Sequence, residues 1–336
     1  MALVENLEIG QIKQPRYGNN RLVRLIAKRV LSGLLLLFVI STLIFVGTEV
    51  LPGDAATALL GRSATPASLA ELRSQLGLDQ PLVGRYFLWL SNALQGDFGV
   101  SLMNGRSVTS SIGLRLGNTL VLAGAAALVS VPLSVFLGIL SVRYRGTILD
   151  RTISTVTRGI VALPEFFVGY LLIFIFSITL GWLASSATVF ATMGFGDRVL
   201  AMILPCATLT LAVTGHITTM TRAALLNVLT LPYIEMAILK GVPHATIIWR
   251  HALPNALAGI INVVLLNLAY LIAGVVVVEV IFVYPGMGQF MVDSVVNRDV
   301  PVVQACCLLF AALYISLNLL ADVLSTLANP RLRHPK

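Results

Sequence analysis

The sequence predicts an all-α membrane protein that crosses the bilayer six times, and three observations lead to this fold class. Of the 336 residues, 57% are hydrophobic and only 11% are charged, whereas a soluble domain carries roughly 25% charged residues. The apolar residues fall into six long runs, each near the length of about 20 residues that a helix needs to cross the hydrocarbon core. Lysine and arginine collect in alternate connecting segments, which is the pattern of the positive-inside rule.

The first predicted span is 31–50, which follows a polar N-terminal tail, 1–30, with six basic residues. A cleaved signal peptide is the alternative, because Ala56-Thr57-Ala58 offers a weak cleavage site. The apolar run is longer than the roughly 7 to 15 residues of a signal core, so we expect a retained transmembrane helix. The five later spans are predicted at 116–142, 159–183, 199–220, 256–283 and 302–324.

The other segments complete the domain organisation. Residues 51–115 have mixed polarity and form a long loop after the first helix, in which glycine-aspartate turns hold a compact cap. The stretch 116–324 is a five-helix core, and 325–336 is a C-terminal tail. Because proline removes a helical hydrogen bond, we expect interruptions within three spans. The three prolines are Pro132, Pro164 and Pro205.

Charge placement predicts the orientation. One side of the predicted topology holds 16 lysines and arginines, and the other side holds seven. Cytoplasmic segments carry an excess of lysine and arginine, so the side with 16 is the cytoplasmic one. The charges in the long loop 51–115 count little, because long loops translocate largely regardless of charge. Both termini and the connection between the fourth and fifth spans are therefore expected in the cytoplasm, with 51–115 outside. Since these cations mark topology, the basic balance does not indicate nucleic-acid binding.

The connection 231–255, which we call the elbow, is predicted to contain two short helices at an angle. Pro232 suits the first helical position, and Glu235 lies in the first turn, where the helix dipole favours a carboxylate. Gly241 can adopt the left-handed conformation that ends a helix. A short amphipathic helix lying in the headgroup layer is the alternative interpretation of the same spacing.

The second half of the elbow restarts at Pro243. The residue before a proline is biased away from helix, so Pro254 predicts a break at Leu253. Apolar residues at helical spacing are expected to form one stripe on each short helix. The stripe residues are Ile234, Ala237 and Ile238 on the first helix, and Ile247 and Ile248 on the second.

Several chemical motifs are missing from the sequence. No phosphate-binding loop of the form G-x-x-x-x-G-K-[ST] occurs, no H-E-x-x-H or C-x-x-C pair is present, and no nucleophile elbow is found. The three cysteines all lie in apolar stretches without metal-ligand spacing. We therefore expect a non-catalytic protein that binds no cofactor or metal itself.

Ionisable residues inside predicted spans are costly and often functional. Glu165 follows Pro164 in the third span, and Glu279 lies near the outer end of the fifth. Together with Asn118, at the start of the second span, they are candidates for lining a translocation pathway. A packing role, with Glu165 bonded to a neighbouring helix, is the alternative.

One motif in the elbow resembles a known family. The spacing E-x-A-x3-G-x11-L-P is similar to the EAA loop in permease subunits of ATP-binding-cassette importers. In that family, the loop docks into a groove on a cytoplasmic ATPase. Met236 stands where the family commonly has alanine, and His251 where it has isoleucine. The motif residues are Glu235, Ala237, Gly241, Leu253 and Pro254.

Further motifs along nearly the whole chain resemble the first-permease (B-type) subunit of dipeptide, oligopeptide and nickel importers. The resemblance implies a type I importer fold, with a five-helix core and one extra first helix, in a bacterial cytoplasmic membrane. The motifs are Leu51-Pro52-Gly53-Asp54, Leu76-Gly77-Leu78-Asp79-Gln80-Pro81, Gly96-Asp97-Phe98-Gly99, Asn118-Thr119-Leu120, Leu163-Pro164-Glu165-Phe166-Phe167, Tyr284-Pro285-Gly286, Arg298-Asp299, Asn318-Leu319 and Pro330-Arg331.

The resemblance also implies partners. These are a second, related permease subunit, two cytoplasmic ATPases that bind ATP and magnesium, an extracytoplasmic solute-binding protein and the lipid bilayer. Coupling to the ATPases would fall to Glu235, Ala237, Gly241, Pro243, Leu253 and Pro254. Peptides are the implied cargo, with nickel chelates, glutathione or opine-like solutes as alternatives. An ion-coupled carrier acting alone is the alternative from another functional class, and a structural subunit without a pathway is a third.

Overall fold

A computed structural model describes residues 18–50, 55–60, 64–75, 77–190 and 192–328. Within these ranges the chain folds into α-helices and two π-helical segments, and no strand is formed. Up to the first π segment, Ile173–Thr179, the helices are α1 (Gly18–Val50), α2 (Ala55–Leu60), α3 (Pro66–Gln75), α4 (Leu82–Leu94), α5 (Val108–Arg143), α6 (Ile148–Ala162) and α7 (Glu165–Leu172). After it come α8 (Phe195–Leu229), α9 (Pro232–Leu239), α10 (His244–Thr246), the second π segment (Ile247–Ala252), α11 (Leu253–Ile281), α12 (Met287–Val296) and α13 (Val300–Ala328).

The described helices provide five or six membrane crossings. Five spans are long and apolar enough to cross alone: α1, α5, α8, α11 with the preceding α10, and α13. The pair formed by α6 and the segment from α7 to Thr179 makes a sixth crossing if it is one span, bent by 104°. The five spans that cross alone occur in the predicted order, and the predicted total of six is the count that includes the bent pair as one span.

The bent pair differs from its prediction at one end. The span begins at Ile148 rather than near residue 159, because α6 is amphipathic and carries Asp150, Arg151 and Arg158 within its length. Charges on one helical face lower the average hydropathy, although the other face is apolar. The break itself falls at Pro164, as expected for a proline that starts a new helix.

The other two predicted interruptions do not occur. Helix α5 continues through Pro132, and α8 continues through Pro205. These helices are parallel neighbours that pack closely along their length, and tertiary packing of this kind outweighs the local cost of a proline. At the closest approach, a Cβ on Gly138 would lie 2.8 Å from the Thr221 side chain. Nearby, the Thr218 hydroxyl donates to the Ser134 carbonyl at 3.3 Å.

The main apolar core lies between α5, α8 and α11. Leu122 of α5, Ile217 of α8 and Val275 of α11 are fully buried in it, and Phe282 closes it just after α11. A second cluster, with Leu225, Ile248 and Ala256, extends the packing to the elbow. The core therefore connects the elbow to the middle of the helix bundle.

Helices α1 and α13 run antiparallel at the edge of this core. Gln304 donates to the Thr48 hydroxyl at 2.7 Å, and Arg29 pairs with Asp322 at 3.0 Å near the opposite ends of the two helices. The start of α1, the 144–147 turn, α9 and the end of α13 therefore share one end of the bundle, which we call the elbow end. Helices α2 to α4 and the 282–299 connection lie at the other end, which we call the loop end.

The segment after α1 forms a cap at the loop end. Tyr86 of α4 packs edge-on against Phe45 and shares a hydrogen bond with the Ser41 hydroxyl at 2.8 Å. The predicted glycine-aspartate turn is confirmed, because the Gly99 amide donates to the Asp97 carboxylate at 2.9 Å and Gly99 has a φ of +78°. The first loop motif, 51–54, and the tails 1–17 and 329–336 lie outside the described residues.

Candidate functional site

The elbow begins with a helix that ends as its sequence predicts. Pro232 occupies the first turn of α9, and Glu235 also lies in that turn. Gly241 has a φ of +74°, its amide donates to the Ile238 carbonyl at 2.9 Å, and the Val242 amide reaches back to the Ala237 carbonyl at 3.1 Å. These two bonds form a Schellman motif, which requires a left-handed residue at the glycine position. Gly241 therefore fixes the angle at which the chain leaves α9.

The second half of the elbow contradicts the predicted break at Leu253. Pro243 restarts the helix as expected, but Leu253 is helical, with φ −59° and ψ −48°, and the chain runs on into α11. In a straight α-helix, the ring of Pro254 would clash with the carbonyl of Arg250. The π segment Ile247–Ala252 widens the preceding turn and accommodates the proline. The elbow is thus a rigid extension of α11 at this end.

The elbow buries part of the predicted apolar stripes and exposes the rest. Ile234, Ile247 and Ile248 are buried. Ile238, which belongs to the same predicted stripe as Ile234, is 55% exposed. The other exposed large apolar residues of α9 follow one another at spacings of three residues, and this surface, Tyr233, Met236 and Leu239, is what we call the elbow face.

The elbow face is apolar, although it belongs to a connection outside the spans, at the end of the bundle. Leu239 is 74% exposed, and the charged groups beside it, Glu235 and Lys240, are also exposed. An aromatic and aliphatic patch with a charged rim is the composition of a protein-binding surface. Within the part of the chain that the structure describes, no cluster of histidine, cysteine, aspartate or glutamate could hold a metal ion.

An ion pair that the sequence did not reveal joins Asp150 to Arg222, which lies on α8 nine residues before the elbow. Asp150 of α6 is buried and accepts hydrogen bonds from the Ser141 hydroxyl at 2.5 Å, the Gly146 amide at 3.0 Å and the Arg222 Nε at 3.1 Å. The three partners belong to α5, to the turn that follows α5 and to α8. Asp150 therefore links α6 to these elements. No local motif signals such a contact, since the two residues are 72 positions apart.

Glu279 occupies a second buried joint, at the loop end. Its carboxylate accepts hydrogen bonds from the Thr119 hydroxyl at 2.6 Å and from the Gly288 and Gln289 amides at 2.7 and 3.2 Å. Gly288 and Gln289 belong to the first turn of α12, where a helix dipole favours a negative charge. Glu279 therefore joins α5, α11 and α12.

Asn118 completes this joint through the turn that follows α11. Its amide donates to the Pro285 carbonyl at 2.9 Å, and the Tyr284 hydroxyl donates to the Asn118 carbonyl at 3.1 Å. Burial raises the pKa of the Tyr284 phenol to about 12, so this group stays protonated as a donor. Val283, with a φ of +52°, supplies a left-handed residue in the turn that directly precedes Tyr284.

Glu165 lies apart from that joint, at the bend between α6 and α7. It is half-buried, and the hydroxyl of Tyr270 on α11 forms a hydrogen bond with its carboxylate. A Cβ on Gly274 would come within 2.6 Å of the carboxylate, so glycine leaves room for it. The aromatic neighbours Phe166 and Tyr170 are 52% and 59% exposed. Glu165 therefore lies beside exposed aromatic side chains at the bend of the span.

Family models match nearly the whole chain. Residues 130–334 match the model described as "Binding-protein-dependent transport system inner membrane component". Residues 22–123 match the model for the N-terminal region of the same kind of membrane component. The two matches together span the cap, the helix bundle and the elbow.

Curated relatives match over similar lengths. A probable peptide ABC transporter permease protein, y4tP of Sinorhizobium fredii (strain NBRC 101917 / NGR234), is 34% identical over 92% of this chain and 99% of its own length. The glutathione transport system permease protein GsiC of Escherichia coli (strain K12) is 37% identical over 92% of this chain and 98% of its own. Among solved structures, an inward-facing MetNI methionine ABC transporter chain matches with a TM-score of 0.50 and 20% identity, covering 66% of this chain and 96% of that chain. The structural match supports the fold.

Proposed function

Because the chain belongs to the family of binding-protein-dependent transport system inner membrane components, we propose that it is the permease subunit of an ATP-driven importer for peptides. The observation that carries this proposal is the elbow face, an apolar surface at the bundle end, held at a fixed angle by Gly241. A carrier acting alone would have no use for such a surface. A subunit driven by a separate ATPase requires one.

We propose that the elbow face docks on a cytoplasmic ATPase. Pro243 and the π segment before Leu253 and Pro254 make the elbow continuous with α11, so force on α9 passes into the core helices. Glu235 on the rim of the elbow face would orient the contact, and Ala237 with Gly241 would hold its angle. Closure of two ATPases around ATP and magnesium would then rock the helices between inward-facing and outward-facing states.

This assignment sets the orientation and the remaining partners. The elbow end, with both termini, would face the cytoplasm of a bacterial cell, in agreement with the placement of 16 of the 23 basic residues on that side. The cap at the loop end would receive the solute-binding protein. A second, related permease would complete the pathway, because a single chain of this size leaves its bent span and aromatic residues unpartnered.

Of the pathway candidates, Glu165 is proposed to face the cargo. It lies at the bent span beside exposed aromatic residues, and carboxylates inside a membrane bundle commonly mark a pathway. Asn118 and Glu279 would act by holding the outer ends of α5 and α11. Peptide cargo is supported by y4tP, whereas GsiC keeps glutathione open, and nickel chelates or opine-like solutes require the same test.

The test is the replacement of Gly241 by valine in the assembled complex. A β-branched residue resists a φ of +74°, so we expect the elbow to change its angle. ATPase activity stimulated by peptide-loaded binding protein should fall at least tenfold, and assembly should persist. The matched control is Gly181→Val, because Gly181 also has a left-handed φ, +64°, a Cβ there would meet nothing within 4 Å, and it lies in the connection between the first π segment and α8.

Two outcomes would refute the proposal. One is unchanged stimulation in Gly241→Val, or an equal loss in Gly181→Val. The other is ion-gradient-driven uptake by the purified chain alone in liposomes, which would establish the ion-coupled carrier instead.

A further inference from the structure

A groove between α1 and α13 runs along the outside of the bundle near the elbow end. Its volume is about 480 Å³, and its apolar walls include Leu36, Val39 and Ile315. Gly33 lies at its floor, where a Cβ would come within 3.2 Å of Ile315. Both helices are long and apolar enough to cross a membrane, so the groove opens toward lipid chains.

Basic residues stand at the elbow end of this groove. Arg24, Lys28 and Arg29 are exposed and come directly before the apolar part of α1. Lys28 shares one helical stripe with Ser32 and Val39, at spacings of four and eleven residues, so it lies in line with the groove. Arg29 pairs with Asp322 yet keeps 60% of its side chain exposed. The group carries three positive charges against one negative charge.

Polar side chains occupy the next turn of the groove. Ser32 and Asn318 line it, between the basic end and the apolar walls. The Asn318 amide donates to the Tyr314 carbonyl at 2.9 Å. The groove thus changes along its length from cationic to polar to apolar, which is the order of phosphate, glycerol ester and acyl chain in a phospholipid.

We propose that this groove, which we call the α1–α13 groove, binds one anionic phospholipid in the leaflet at the elbow end. Arg24 and Lys28 would hold the phosphate, and Ser32 would face the ester region. The acyl chain would lie on Gly33 and Val39. Basic pockets between transmembrane helices attract anionic headgroups in this way. The inference needs neither the proposed cargo nor coupling to an ATPase.

The test uses the full chain in nanodiscs, with native mass spectrometry counting bound dioleoylphosphatidylglycerol and dioleoylphosphatidylethanolamine. The double variant Arg24→Gln/Lys28→Gln should weaken retention of the phosphatidylglycerol about 25-fold, since each basic residue near a membrane surface contributes about 1 kcal/mol. Retention of the ethanolamine lipid should not change. The control Arg145→Gln/Arg151→Gln removes two exposed cations at the same end but away from the groove, and should retain the lipid.

A photoreactive residue in place of Leu36, which is 49% exposed in the groove wall, identifies the occupant directly. Irradiation in native membranes should yield a phospholipid adduct, which Ser32→Trp abolishes by filling the groove. An adduct with a polypeptide instead would overturn the proposal. Equal lipid loss in the two double variants would also overturn it, because that result describes a diffuse charge effect.

Discussion

Position 286 requires glycine because no side chain fits there, and not because of its backbone conformation. Gly286 has an extended backbone, with φ −97° and ψ −175°, which other residues could also adopt. A Cβ at this position would overlap the Glu279 carboxylate. The glycine is needed because that carboxylate passes against the backbone to reach the first turn of α12.

This contact predicts the effect of Gly286→Ala. The added methyl group must displace the Glu279 carboxylate from the Gly288 amide, so charge-assisted hydrogen bonds are lost in a buried place. We expect the free energy of unfolding in mixed micelles to fall by about 3 kcal/mol. Gly124→Ala is the control, since a Cβ there meets nothing within 4 Å, and should leave the stability equal or slightly higher. Equal stabilities for both variants would show that the joint at Glu279 tolerates movement.

Among the elements, the junction of the elbow with α11 departs most from its prediction. Local rules for proline are statistical. They predict either a continued α-helix or its end, and they favoured an end at Leu253, directly before Pro254. The π segment is a third possibility, which depends on packing of Ile248 and Ala252 against α8 and α11. Such packing is a tertiary property, so the sequence of this segment alone does not contain it.

The junction predicts a specific effect of Pro254→Ala. Without the proline ring, the preceding turns can return to α-helical geometry, and each residue of register change rotates the elbow by about 100° relative to α11. We expect a changed distance between spin labels at Met236→Cys and Leu324→Cys, together with reduced stimulation of the ATPase. Pro232→Ala is the control, because a proline in the first helical turn breaks no hydrogen bond. An unchanged distance with full stimulation would mean that the π segment forms without the proline.

For the whole molecule, hydropathy and punctuation predicted the order of the spans, the end of α9 at Gly241 and the glycine-aspartate turn of the cap. These features depend on residues close in sequence. The joints at Asp150 and Glu279 depend on partners far away along the chain, Arg222 and Thr119, and were not predicted. The start of α6 was also missed. The charged residues on one face of this amphipathic helix lower its mean hydropathy to that of a loop.

The arrangement of the spans makes one prediction about the complete molecule. Because α1 and α13 run antiparallel, the N-terminal end of α1 and the C-terminal end of α13 both lie at the elbow end. The positive-inside rule assigns that end to the cytoplasm. Single cysteines are placed on a background in which Cys206, Cys306 and Cys307 are replaced by alanine. In intact cells or spheroplasts, an impermeant maleimide should label Ser91→Cys in α4, whereas Lys240→Cys in the elbow should react only after the membrane is opened.

The two positions are matched, because both are exposed in the structure, so a difference in labelling reports the side of the membrane rather than burial. Labelling from opposite sides requires an odd number of crossings between the two positions. Six spans give three crossings between them, whereas five spans, with no crossing by α6 and α7, give two. Labelling of Lys240→Cys from outside would place the elbow face away from any cytoplasmic ATPase. The proposed coupling would then fail, whatever the family resemblance of its motif, because ATP hydrolysis could not act on α9 from across the bilayer.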